Sequence, residues 1–71
     1  MTDVLRRLWR ARRRHAHIDA MLRQRADGWE VSYSRDDRPL MSRLFETEEE
    51  ARADAITRFR ELQRAGWIDH W

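Results

Sequence analysis

The chain has 71 residues, a formal net charge of +2 and no cysteine. A single core in a chain this short supplies only about 3–5 kcal/mol of net stability, and the lack of cysteine excludes disulfides and thiolate metal sites as further support. No apolar run approaches the roughly 20 residues of a membrane span, and the arginine-rich start lacks the apolar segment of a secretory signal, so we expect a cytoplasmic protein with no membrane partner.

The charge is divided unevenly along the sequence. Residues 1–25 carry eight arginines against two acids, and residues 26–71 carry seven arginines against eleven acids. All 15 cationic residues are arginine, which is typical of the codon usage of a GC-rich bacterial genome. A basic first part and an acidic remainder indicate either a polyanion-binding arm or two surfaces that attract each other in a dimer.

Residues 1–27 are predicted to form an arginine-rich amphipathic helix. Apolar positions recur every three or four residues between Val4 and Leu22, which is the pattern of one helical stripe, and Gly28 would end the helix. A helix over Val4–Arg25 would be about 33 Å long. Because that is long for so small a domain, we expect part of it to pack on a second copy of the chain. The predicted stripe consists of Val4, Leu8, Ala11, His15, Ile18 and Leu22.

A two-stranded antiparallel hairpin is predicted to follow. The segment WEVSYS alternates apolar and polar residues as a half-buried strand does, RDDRP has turn composition, and LMSRLF is a second strand. With Asp36 and Asp37 at the tip, Arg35 faces Arg38. Further along the same register, Tyr33 faces Leu40, Val31 faces Ser42, Glu30 faces Arg43 and Trp29 faces Leu44. This register places Met41 and Phe45 on the second face of the hairpin.

The C-terminal helix has the clearest signals. Thr47 and Glu50 form a capping box, and three glutamates in the first turn complement the helix dipole. Gly66 fits the left-handed position after the helix, and Trp67 can fold back on Leu62. The predicted buried stripe is Ala51, Ala55, Ile56, Phe59 and Leu62. The sequence thus predicts one α+β domain over residues 1–71 in the order α-β-β-α, with residues 28–71 forming the hairpin-plus-helix unit.

Two functions remain open for the basic segment. On a helical wheel one face, opposite the apolar stripe, collects Arg6, Arg10, Arg13, Arg14 and His17. Such a face neutralises the phosphates of DNA or RNA. It is also what the solvated or partner-facing side of any amphipathic helix looks like in an arginine-only chain. One hypothesis is that the chain is a small nucleic-acid-binding protein, and the other is that it is a protein-interaction module.

The protein-interaction hypothesis has its own candidate residues, which would contact a second copy of the chain or a protein partner. Trp9 lies between the apolar stripe and the basic face, where it could stack on a nucleotide or bury at a dimer seam. The full predicted partner interface consists of Leu8, Trp9, His15, Met41 and Phe45.

Enzymatic chemistry is not expected. The chain shows no nucleophile held by a base and an orienting group, so we predict no catalytic residue, no cofactor and no small-molecule substrate. His15 and Asp19 could share a helix face, but two ligands do not make a metal site. The start of the helix explains the run Glu48–Glu50 without any catalytic role.

Overall fold

The computed structural model describes residues 5–69, which form an antiparallel sheet with one helix packed on it. In chain order the elements are β1 Leu5–Arg13, β2 Ala16–Arg25, β3 Gly28–Arg35, β4 Arg38–Phe45, α1 Glu48–Arg64 and β5 Ile68–Asp69. The spatial order is β4-β3-β2-β1-β5. We call the sheet surface opposite α1 the open face, because no described element covers it.

The predicted N-terminal helix, and with it the α-β-β-α order, is wrong. Residues 5–25 form the hairpin of β1 and β2, while Val4 lies outside the described residues. The same residues also alternate between apolar and polar with a period of two, which is the period of a strand. The buried side chains on the α1 side of this hairpin are Trp9, Ala11, Ile18, Ala20 and Leu22. A helix would have left Ala20 off the apolar stripe, whereas the hairpin buries all five together.

The hairpin of β1 and β2 also removes the argument for a second copy. The hairpin predicted from WEVSYS and LMSRLF would be marginal on its own in water, and strand sharing in a dimer was one way to support it. The chain itself instead supplies β2, which pairs with β3, and β1, which pairs with β2. The helix that was too long for its own core does not exist. Homodimerisation therefore loses the grounds that the long helix and the isolated hairpin gave it.

The hairpin of β3 and β4 forms with its tip as predicted but with a different register. Asp36 and Asp37 both have positive φ, and Arg35 pairs with Arg38, as a two-residue turn of this kind requires. A β-bulge then leaves Leu40 unpaired, so Tyr33 faces Met41 rather than Leu40. The bulge shifts every later pair by one residue. The observed pairs are Val31 with Arg43, Glu30 with Leu44 and Trp29 with Phe45.

This shift exchanges the two faces of β4. Phe45 lies on the α1 side and packs against the core, whereas Leu44 lies on the open face and is 49% exposed. The predicted pairing of Glu30 with Arg43 is replaced by an ion pair between Arg43 and Asp54 of α1 at 3.0 Å. The carboxylate on the helix thus explains why Arg43 belongs on the covered side.

Helix α1 begins and ends as the sequence predicts. The Thr47 hydroxyl accepts a hydrogen bond from the Glu50 amide at 3.2 Å and donates one to the Glu50 carboxylate at 3.0 Å. At the other end Gly66 has φ +96°, and the Trp67 amide donates to the Leu62 carbonyl at 2.9 Å, which completes a Schellman ending. This one described helix is neither long nor apolar enough to cross a membrane.

The core lies between α1 and the sheet. The Trp9 ring packs against Tyr33 and Phe59, with ring centroids 6.0 and 5.3 Å away. Ala51 and Ala55 are fully buried and let the helix approach the sheet closely. Ile56, predicted to be buried, is 50% exposed. The helix therefore contacts the sheet along a narrower stripe than its apolar residues suggest.

Candidate nucleic-acid interface

An arginine array occupies the β1–β2 half of the open face. Alternate residues of a strand share one face and are separated by about 7 Å, so the register of β1 with β2 decides which arginines belong to this array. The open-face arginines are Arg7, Arg10 and Arg12 on β1 and Arg23 and Arg25 on β2. The acids that the register places among them are Asp19 and Glu30. Asp37 is a third acid at the edge of the array, near Asp19. Five guanidinium groups against these three carboxylates leave the surface with an excess of positive charge.

Arg10 and Asp19 form the best-defined contact of the open face. The two residues are paired across β1 and β2, and the guanidinium makes a bidentate contact with Nε–Oδ1 and Nη2–Oδ2 distances of 2.6 and 3.0 Å. The Asp19 carboxylate raises the pKa of Arg10 further. Because Asp19 is only 5% exposed, this pair fixes the relative position of the two strands and holds the Arg10 guanidinium in place.

Other members of the array are held less tightly. The Nη1 atom of Arg25 lies 3.4 Å from Oε1 of Glu30, and the Arg25 side chain is half-exposed. Arg12 is exposed and donates from Nε to the Arg14 carbonyl at 3.1 Å. The Nε of Arg23 is buried and has no hydrogen-bond partner among the described residues. A buried donor without a partner is costly, so a ligand that accepts a hydrogen bond from Arg23 would gain from it.

Small polar side chains continue the open face onto β3 and β4. Met21 pairs with Ser32, and Ser32 pairs with Ser42. A shallow concavity of about 470 Å³ lies here, with Arg23 and Leu40 also in its lining. Serine side chains project little from the sheet. An extended ligand laid across β3 can therefore approach the backbone of the sheet closely, while arginines contact the ligand from β1 and β2.

The structure separates the predicted basic residues. Arg10 and His17 lie on the open face, but Arg6 and Arg13 lie on the α1 side, opposite Leu22 and Ala16 respectively. Arg14 lies in the turn with φ +56°. The helical wheel therefore grouped residues that a strand sends to opposite faces. The predicted set does not form one surface.

The predicted partner interface is also divided. Trp9 is buried in this chain's own core, Leu8 and Phe45 pack against that core, and Met41 is partly exposed beside the β-bulge. His15 is exposed in the turn between β1 and β2. Trp9 therefore serves the fold of this chain, and its burial leaves no ring face for a nucleotide or a second copy.

One cluster of metal-type ligands lies at the edge of the array. Ligand atoms of His17, Asp19 and Asp37 lie within 4.8 Å of one another. Arg10 already occupies both carboxylate oxygens of Asp19. A cation would have to displace that guanidinium and then remain beside it, so the arrangement is better suited to holding Arg10 than to binding a metal.

Sequence reasoning missed Arg7, Arg12, Arg23 and Arg25 as members of one surface. The available signal was the alternation of Arg10 with Arg12 and of Arg23 with Arg25, each pair two residues apart. That spacing indicates a shared strand face, but it becomes visible only when residues 5–25 are treated as strands. The choice of period decided both the fold and the candidate site.

Comparison with known proteins adds no assignment to this geometry. Neither a protein-family model, nor a characterised protein, nor a solved structure matches the chain.

Proposed function

We propose that the protein is a small non-enzymatic nucleic-acid-binding protein that uses the open face of its sheet. The observation that carries the proposal is the array of five arginines on adjacent strands, with the uncovered side of the sheet as its support. The expected ligand is a DNA or RNA strand whose phosphates lie along β1 and β2. Binding would be driven by release of the counterions that the phosphates hold.

The spacing and charge of the array support this function. Guanidinium groups on alternate residues recur about every 7 Å along a strand, and their planar donors match phosphate oxygens well. The acidic first turn of α1, residues 48–50, lies on the other side of the sheet. A polyanion on the open face would therefore meet the arginines without approaching the largest cluster of carboxylates.

The array offers sequence-independent contacts. Arginine contacts to phosphate position a protein on nucleic acid but carry no base information. No described Trp, Tyr or Phe ring lies on the open face beside the arginines, since Trp9 and Tyr33 are both buried on the other side. We therefore expect binding with little dependence on base sequence.

The test compares one variant on each side of the sheet. Arg12→Gln/Arg25→Gln removes two charges from the open face, and Arg60→Gln/Arg64→Gln removes two charges from exposed positions of α1. Affinity for a labelled single-stranded and a duplex oligonucleotide is measured by fluorescence anisotropy over a range of salt concentrations. Each lost phosphate contact lowers the slope of log K against log salt by about 0.7–0.9.

We expect the open-face variant to bind more weakly and to show a flatter dependence of affinity on salt. The helix variant should keep the slope of the wild type. Wild-type protein that binds neither oligonucleotide at about 50 mM salt, where electrostatic binding is favoured, would refute the proposal. Equal effects of the two variants would show that net charge, rather than the open face, determines binding.

A second candidate function, association with another copy of the chain, has one observation in its favour. Strand β4 is a sheet edge, and Leu40, Met41 and Leu44 on it are at least 42% exposed. An unpaired apolar edge is a template for strand pairing. Pro39 and the β-bulge interrupt this edge near its start, which limits pairing to the last residues of β4. Sedimentation equilibrium of the wild type and of Leu44→Arg tests this function separately.

A further inference from the structure

A second basic feature lies at the end of the sheet where the turns between β1 and β2 and between β3 and β4 meet the end of α1. A cleft of about 500 Å³ is lined by Arg13, Arg14, His15, Ala16, Arg35 and Trp67. Its volume falls in the range of small-molecule sites, about 300–1,000 Å³. No acidic residue lines it.

Two guanidinium groups of this cleft are not in ion pairs with described residues, and the third packs over an aromatic ring. Arg13 and Arg14 make no ion pair with any residue in the 5–69 range. Arg35 lies 5.6 Å from the centroid of the Trp67 ring, and its one acidic neighbour, Asp36, is 4.0 Å away at the limit of an ion pair. Because Trp67 is buried and anchored by the helix ending, it gives Arg35 a fixed support.

Three arginines lining one cleft without a lining acid favour an anion of high charge. A terminal phosphate group carries about −1.5 to −2 charges near pH 7, whereas each internal phosphate of a nucleic-acid strand carries one. Charge-assisted hydrogen bonds from guanidinium to phosphate are among the strongest available. The cleft therefore favours a phosphate at a strand end over an internal one.

The cleft lies around the turn between β1 and β2 from the arginine array, because Arg13 and Arg35 lie on the α1 side of the sheet. Arg12 belongs to that array and donates a hydrogen bond to the carbonyl of Arg14, which lines the cleft. A strand that follows β1 along the open face reaches the cleft with its end if it bends around this turn. We infer that the cleft binds the terminal phosphate of a nucleic-acid strand, an assignment that rests on the proposed function of the open face.

The experiment compares labelled oligonucleotides of one sequence with a 5′-phosphate, with a 3′-phosphate and with hydroxyl groups at both ends. For the wild type we expect about tenfold tighter binding of one phosphorylated form than of the hydroxyl form. Arg13→Gln/Arg35→Gln, and separately Arg14→Gln, should reduce that ratio to near one. Arg25→Gln, at the far end of β2 from the cleft, should weaken all three oligonucleotides and leave the ratio unchanged.

The outcomes separate this inference from the proposed function. If the wild type binds all three oligonucleotides equally, or if the cleft variants keep the ratio while remaining folded, the cleft assignment is overturned and the open face stands. If no oligonucleotide binds, a nucleoside monophosphate and inorganic pyrophosphate are titrated while the amide resonances of residues 13–16 are followed by NMR. Shifts there would assign the cleft to a free phosphate compound, and their absence would overturn the cleft as a phosphate site.

Discussion

The indole Nε1 of Trp9 donates a hydrogen bond to the backbone carbonyl of Ala55 at 2.8 Å, across 46 positions of sequence. This bond joins the first strand to the middle of α1 and satisfies the polar atom of a ring that is otherwise buried in apolar surroundings. A buried tryptophan usually finds such a partner. The contact explains why the first strand lies beneath the helix.

Replacing Trp9 by Phe should therefore lower the free energy of unfolding by about 1 kcal/mol or more, since the hydrogen bond is lost together with part of the ring. Trp9→Ala should cost about 3–5 kcal/mol. Trp29→Phe is the matched control, because the Trp29 ring makes no hydrogen bond among the described residues and is only half-buried. Urea denaturation measures all three. Equal stability of Trp9→Phe and wild type would show that the bond contributes nothing.

Tyr33 predicts how stability depends on alkaline pH. Burial first, and then the hydrogen bond that its phenol donates to Asp54 at 2.7 Å, raise the pKa of Tyr33 above its ordinary value. The unfolded chain loses this proton near pH 10 while the folded chain keeps it, so the free energy of unfolding should fall as pH rises above about 10. The sequence has no lysine and no cysteine, which leaves Tyr33 as the side chain that titrates there.

Tyr33→Phe should remove this alkaline loss of stability, which urea denaturation at a series of pH values measures directly. The chain has one tyrosine, so phenolate absorbance follows Tyr33 alone. Phenolate appearing near pH 10 in the folded protein would contradict the expected shift.

The sequence predicts the parts of this architecture that depend on contacts between residues close together in the chain. Thr47 with Glu50 and Gly66 with Trp67 define the ends of α1 through contacts a few residues apart, and the Asp36–Asp37 tip is equally local. The first 25 residues carry two periods at once, and only burial of Trp9 beneath α1, a contact distant in sequence, selects the strand period. The open-face arginines could not be identified until that choice was made.

The register of β4 provides a stability prediction of its own. The bulge at Leu40 places Phe45 against the core and Leu44 on the open face. Phe45→Ala should therefore lower the free energy of unfolding by about 2 kcal/mol or more, and Leu44→Ala by less than about 0.5 kcal/mol. The register without a bulge predicts the reverse order. Parallel urea denaturation of the two variants decides between them.

The most direct test of the account is to map by NMR which side of the sheet a single-stranded oligonucleotide contacts. Met21 on the open face and Ile56 on α1 provide a methyl probe on each side, and the Nε–Hε groups of Arg12 and Arg23 report on the array itself. If the open face binds the strand, titration shifts the resonances of Met21, Arg12 and Arg23 and leaves that of Ile56 unchanged. Shifts at Ile56 without shifts at Met21, or no shifts at saturating oligonucleotide, would contradict it.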